Sequence, residues 1–273
     1  MPPDPPGPPR GRSDVPFLLA LGVLGGLYVL LIVGMLLADA SFTSPAHLLR
    51  ALASPEIRYA VKLSLVSCGI TTVLSLWVAV PLGYLLSRFS FAGKGLVDAL
   101  LDVPIVLPPL VIGLSLLILF QTPPGRFVEQ FVEITYAVPG VILAQFAVAC
   151  AFAVRTMRVT FDQIPPRHEQ VARTLGCSRA QAFGRVVLPE ARRGIVTAGT
   201  LAWARALGEF GPILVFSGAT RMRTEVLPTT VFLELSVGNL YAALAVSLLM
   251  VVAAVAVLLI VRGYGLRGRG PLP

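Results

Sequence analysis

Two stretches of this chain, Phe17–Ala38 and Leu240–Val261, each run for 22 residues without a charged side chain. At 1.5 Å rise per residue, such a run forms a helix of about 33 Å, close to the thickness of a bilayer's hydrocarbon core. In lipid the backbone polar groups must be satisfied within the segment, so helix is the form open to isolated spans of this kind. Four further stretches read the same way: Leu63–Ser87, Val103–Phe120, Ala137–Val154 and Gly194–Ser217. The third span carries Pro104, Pro108 and Pro109 and is expected to kink, with Asp98 and Asp102 at its entrance. The fifth contains two charges, Arg205 and Glu209. The expectation is an all-α membrane protein with six transmembrane helices. Composition agrees, with 13% charged residues against about 25% in soluble domains.

The net charge of +8 does not point to nucleic acid, because the basic residues lie between the spans and are not gathered on a soluble face. Their distribution reports topology. With the N-terminus inside, fifteen of the 22 Lys and Arg fall on the cytoplasmic side and six outside, and Arg205 lies within a span. The positive-inside rule then predicts that both termini are cytoplasmic. Residues 1–16 are Pro-rich and are expected to form a disordered cytoplasmic tail; residues 17–262 form the membrane domain and 263–273 a second tail. No clear small-residue cleavage site follows the first apolar run, so it is expected to stay as an anchor.

The longest cytoplasmic loop, about 158–192, is ordered by local rules. Pro165 and Pro166 suit a first helical turn, and Glu169 favours the positive end of the helix dipole. Val171 and Leu175 are four apart on one apolar stripe. Gly176 then provides a left-handed stop, and Ser178 with Gln181 reads as a capping box for a second helix bearing Ala182, Phe183, Val186 and Val187. Pro189 is expected to interrupt that helix before the fifth span. An amphipathic linker resting on headgroups and a docking element for a soluble partner, using the Val171, Leu175 and Phe183 face, are both compatible with this pattern.

Other function classes find little support. Cys68, Cys150 and Cys177 have no metal-ligand spacing, and His47 and His168 are far apart in sequence. A membrane enzyme would need converging catalytic or metal groups at one depth. An ion-coupled secondary transporter would need intramembrane acids, of which Glu209 is the clear one; no internal repeat supports it, and the loop would be left unexplained.

The loop resembles the EAA loop of ABC-importer permeases, whose pattern is Glu-Ala-Ala, three residues, Gly, nine residues, an aliphatic, one residue, then Leu-Pro. With Gly176 as the glycine, Val186 falls on the aliphatic position and Leu188 and Pro189 on the Leu-Pro; Gln170, Val171 and Ala172 take the Glu-Ala-Ala positions, and Glu169 stands one residue earlier. The resemblance implies a type I importer permease with cytoplasmic coupling helices, placing Glu169 to Ala172, Leu175, Gly176, Phe183, Leu188 and Pro189 at the contact with a separate ATP-binding subunit. ATP and Mg would be used by that partner, with no cofactor in this chain. The sequence has no G-x-x-x-x-G-K-[ST] phosphate loop, since position 88, upstream of Gly93 and Lys94, is Arg. The resemblance further implies a dimer, expected as a homodimer, in the inner membrane.

The stretch "RALGEFG", with the later "RMRTEVLPTTVF", is similar to permeases for molybdate, tungstate and sulfate. This implies an oxyanion delivered by an extracytoplasmic binding protein, molybdate or tungstate ahead of sulfate. Arg205 and Glu209, four apart, can pair. They are read either as a structural ion pair or, with Gly208, Gly211 and Pro212, as part of a translocation path or gate. The outer segment Thr220–Asn239 is expected to hold a short helix.

Overall fold

A computed structural model describes residues 14–266, and among these it contains helix and loop with no strand. The first helix, α1 (Val15–Phe42), is a unit by itself, started by a proline in its first turn and apolar throughout until Asp39. Of the tail expected over 1–16, residues 1–13 lie outside the described residues, while Val15 and Pro16 already belong to α1.

The second unit begins at Pro45. It opens with α2 (Pro45–Ala53) and α3 (Pro55–Arg88), the latter N-capped by Ser54, which accepts from the Ile57 amide at 3.4 Å. A 34-residue helix is about 51 Å long, so α3 exceeds the thickness of a bilayer core. Its buried stripe is made of small residues three or four apart, Ala60, Ser64, Ser67, Thr71, Ser75, Ala79 and Gly83. Small side chains let backbones approach where lipid offers no hydrophobic drive between helices. α7 (Val138–Gln163) fills that stripe with Val141, Ala144, Val148, Ala149 and Met157, and α11 (Arg192–Leu207) completes a three-helix core through Ala198, Ala202 and Ala206.

The third expected span is more than kinked. It is two helices, α4 (Lys94–Val106) and α5 (Pro109–Gln121), meeting at 114°. Pro109 has no amide to donate, and Leu107 and Pro108 take extended conformations, so the helical ladder ends at Val106 and restarts at Pro109. α6 (Pro123–Glu129) follows α5. The fifth expected span also divides, into α11 and α12 (Gly211–Phe216), with Gly208 to Phe210 between them. The short outer helix expected within Thr220–Asn239 is α13 (Leu227–Ser236). The last helix, α14 (Leu240–Leu266), runs through the start of the tail expected over 263–273, whose remainder from 267 lies outside the described residues. By length and apolarity, α1, α3, α7 and α14 can each cross a membrane and the bent α4–α5 pair makes a fifth candidate. At 16 residues, α11 is about 24 Å, too short to cross unaided.

Candidate functional site

The loop about 158–192 folds as α8 (Pro166–Thr174), a turn, and α9 (Arg179–Ala182). The turn has the full hydrogen-bond pattern that ends helices on a left-handed residue. The Cys177 amide donates to the Ala172 carbonyl and the Gly176 amide to that of Arg173, both at 3.1 Å, with Gly176 at φ +91°. The Ser178–Gln181 capping box is present in both directions, at 3.2 and 2.9 Å. Pro189 does not interrupt the second helix. A π-helical turn (Phe183–Val187) widens the ladder just ahead of it, and α10 (Leu188–Glu190) carries the chain on to α11. Proline lacks the amide and its ring crowds the preceding turn's carbonyl, and one wide turn absorbs both.

The residues that the sequence places at the partner contact of this element part company in the structure. Val171 and Leu175 face outward, 51% and 81% exposed, beside exposed Gln170. Glu169 and Ala172 face inward and are buried. Phe183 does not share the outward face with Val171 and Leu175. Its ring packs on Tyr84 at 4.5 Å and Phe161 at 6.2 Å, against the ends of α3 and α7. Leu188 is half-buried and Pro189 exposed.

What pins α8 to the membrane helices is a pair of residues that sequence reading missed. The Tyr84 hydroxyl donates to Glu169 Oε1 at 2.8 Å, and the Arg88 guanidinium donates to the Ile164 carbonyl at 2.7 Å while its Nε stands 3.9 Å from Glu169 Oε2. Both belong to the last turns of α3, so the α7–α8 junction is fastened to α3. The signal in sequence was a Tyr and an Arg one turn apart at the cytoplasmic end of a span, which by itself reads as interfacial anchoring. A second clasp, also missed, joins α4 to α7: Asp98 pairs with Arg158, and Asp102 accepts from Arg155 at 3.0 Å. α4 has no fully buried residue, and these charges tether it to the core together with the half-buried Val97 and Leu101.

Deeper in the molecule the two broken spans meet. A side chain at Gly113 would come within 2.7 Å of the Pro212 Cα, and one at Gly211 within 3.0 Å of the Leu110 amide nitrogen, so both positions require glycine for backbone contact between α5 and α12. Gly208 contributes no such contact; the nearest atom to a side chain there would be 3.7 Å away. Arg205 and Glu209 do pair, at 2.6 Å, but not along one helix, because Glu209 lies beyond the end of α11 in the break. Glu209 is 1% exposed and its Oε2 has no geometrically sound hydrogen bond, while Arg205 also lies over the Phe152 ring at 5.7 Å. Gln145 on α7, another residue the sequence reading passed over, donates to the Ala206 carbonyl at 3.3 Å and lies 3.2 Å from the Thr71 hydroxyl. It ties the frayed end of α11 to α7 and α3; a glutamine inside an apolar span was the available signal.

On the opposite side, Arg221 reaches Glu234 at 2.8 Å and the Leu227 amide donates to Ser64 Oγ at 2.8 Å, seating α13 on α3. Glu225, between α12 and α13, is fully buried and neither carboxylate oxygen has a hydrogen-bond partner among the described residues. Burial pushes its carboxyl above the usual carboxylate range, against the smaller opposing effects of the nearby Thr230 hydroxyl and of Arg221.

Comparison with known proteins joins these features into one family. Residues 79–265 match the family described as binding-protein-dependent transport system inner membrane component. The chain is 38% identical to a probable molybdenum ABC transporter permease of Haloferax volcanii over 91% of its own length and 89% of the relative's. It is 31% identical to the sulfate transport system permease of Salmonella typhimurium, over 89% and 90% of the two chains. A molybdate/tungstate transport system permease of Pyrococcus abyssi is 37% identical over 62% of this chain and 64% of that one. Among solved structures, a bacterial ABC transporter involved in the import of alginate shares the fold, with a TM-score of 0.74 at 17% identity over 93% and 96% of the chains. The chain therefore belongs to the binding-protein-dependent transport inner membrane components, multi-pass permease subunits that are not themselves enzymes.

Proposed function

We propose that this permease carries a tetrahedral oxyanion, molybdate or tungstate ahead of sulfate, through the inner membrane in an importer driven by a separate ATP-binding subunit, which uses ATP and Mg. The observation that carries the reading is the α8–turn–α9 element, whose Val171 and Leu175 stand uncovered while Glu169, on the same helix, is locked inward by Tyr84 and Arg88. A helix that is apolar outside and fastened inside transmits a push: a partner closing on Val171 and Leu175 displaces α8 as a body, and the Tyr84–Glu169 and Arg88–Ile164 bonds hand that displacement to α3 and α7. Gln170, Ala172, Gly176, Phe183, Leu188 and Pro189 set the shape of the element around that contact.

α11 packs on both α3 and α7, so the movement reaches the break at Gly208–Phe210, where Arg205, Glu209, Gly211 and Pro212 line the path. Arg205 attracts the anion and Glu209 keeps its hold weak enough for release. Two copies of the chain, both termini cytoplasmic, enclose the path, and an extracytoplasmic binding protein delivers the anion near α13. The relatives' substrates support an oxyanion, and the higher identity to the molybdenum permease supports the order of preference.

The test is uptake into proteoliposomes holding the permease with its ATP-binding subunit and binding protein. Labelled molybdate should enter with ATP and be competed by tungstate more strongly than by sulfate. Sulfate uptake unaffected by molybdate would reverse the order. An Arg205→Ala permease that assembles normally and transports at full rate would remove Arg205 from the path.

A further inference from the structure

Beside α8, between its inner side and the end of α3, is a cavity of about 200 Å³ lined by Arg88, Phe89, Glu169, Gln170, Arg173 and Arg179. Its volume is roughly that of six or seven liquid waters, room for the carboxylate end of one side chain with a little solvent. Three guanidinium groups face one carboxylate, so the cavity is electropositive. Glu169 is already engaged by Tyr84 and lies 3.9 Å from Arg88. The Arg88 side chain is 10% exposed, and its Nε is buried without a hydrogen-bond acceptor. A buried cationic donor left open in this way is costly unless an acceptor arrives.

Arg179 adds a second mismatch. It opens α9, where the helix dipole disfavours a cation, yet its guanidinium is held 4.8 Å over the Phe89 ring at the cavity wall. No carboxylate among the described residues pairs with Arg173 or Arg179. The cavity opens along the Glu169, Gln170 and Arg173 side of α8, round the helix from the exposed Val171 and Leu175, with the exposed Gln170 between the two, so a partner that covers the outward face reaches the cavity at its flank.

We infer that this arginine-lined cavity receives an acidic side chain of the ATP-binding subunit, an ionic lock on the flank of α8 whose outward face makes the apolar contact. The inference rests on the reading of α8 as the docking helix. The lock sets orientation and association rate, since charge complementarity at an interface steers encounter and fixes register.

The experiment measures the affinity of the purified ATP-binding subunit for the full-length permease in nanodiscs, between about 0.1 and 1 M salt, over which the screening length falls from about 10 to about 3 Å. Wild type, the Arg173→Gln/Arg179→Gln pair and the Val171→Asp/Leu175→Asp pair are compared. The glutamine pair should bind at least about tenfold more weakly at low salt, with a flattened salt dependence; the aspartate pair should lose binding at all salts. Restored binding of an Arg173→Glu/Arg179→Glu permease by a lysine at one acidic position of the ATP-binding subunit would identify the incoming residue. Wild-type affinity and salt slope in the glutamine pair, with the aspartate pair defective, would overturn the lock and leave the docking helix standing. In that case, loss of bound labelled molybdate from the glutamine pair would assign the cavity to a free anion, and a dependence on anionic lipid in the nanodisc would assign it to a headgroup. No binding by wild type would overturn both.

Discussion

Two buried glutamates on this chain have opposite surroundings. Glu169 is held from two sides, by the Tyr84 hydroxyl and the Arg88 guanidinium, with an aromatic cluster of Tyr84, Phe161 and Phe183 packed around them. Glu209 has a single close partner, Arg205, at the end of a helix that has stopped, and one of its oxygens lacks a sound hydrogen bond. The first environment makes a rigid handle. The second makes a joint, where one ion pair and a glycine contact between short helices decide the geometry. The proposed function uses both, because a displacement applied at a stiff element does useful work only where the stiffness ends.

The comparison breaks most easily at the joint. Arg205→Ala leaves Glu209 buried without compensation and should lower stability by about 3–5 kcal/mol, while Arg205→Ala/Glu209→Ala recovers most of that loss. Thermal unfolding of the detergent-purified chains checks this, and equal stability of single and double variants would mean that Glu209 reaches water. At the handle, Tyr84→Phe removes one hydrogen bond to a charged acceptor, about 1.5–3 kcal/mol. It should speed amide exchange across α8 without lowering the affinity for the ATP-binding subunit, so transport per ATP falls while assembly holds.

A smaller effect is expected at Gly176→Ala. Open space surrounds that position, so the penalty is only that of a left-handed alanine, about 1–2 kcal/mol; a larger loss of ATP-binding-subunit affinity than of α8 stability would show that the turn itself is contacted. The subtlest test lies outside both sites, at Glu225. Its carboxyl is raised from the ordinary 4.5 by burial, so the proton favours the folded state. That contribution is complete below about 4.5 and fades as pH rises through the elevated folded value. Glu225→Gln should therefore leave the melting temperature unchanged in acid and raise it at alkaline pH.

The handle's outline was legible in sequence because it depends on neighbours along the chain. Gly176 at positive φ, the Ser178–Gln181 box and the outward Val171 and Leu175 all follow from local rules. Its fastening was not, because Tyr84 and Glu169 are 85 residues apart, and helical periodicity says nothing about which helix ends converge. Phe183 was misassigned for the same reason: an apolar residue on a short helix can face a partner or its own core, and here α3 and α7 claim it.

Apolar run length by itself determined a helical membrane protein and the place of its long loop element between spans, because lipid admits few solutions for an unsatisfied backbone. Tertiary structure alone decided where spans break and which charges meet. Three prolines predict a kink, but the 114° turn between α4 and α5 and the severed α11–α12 become tolerable only because the two breaks pack against each other through Gly113 and Gly211. The physical reason is that the energy of an interrupted helix depends on what fills the interruption, and that comes from elsewhere in the chain.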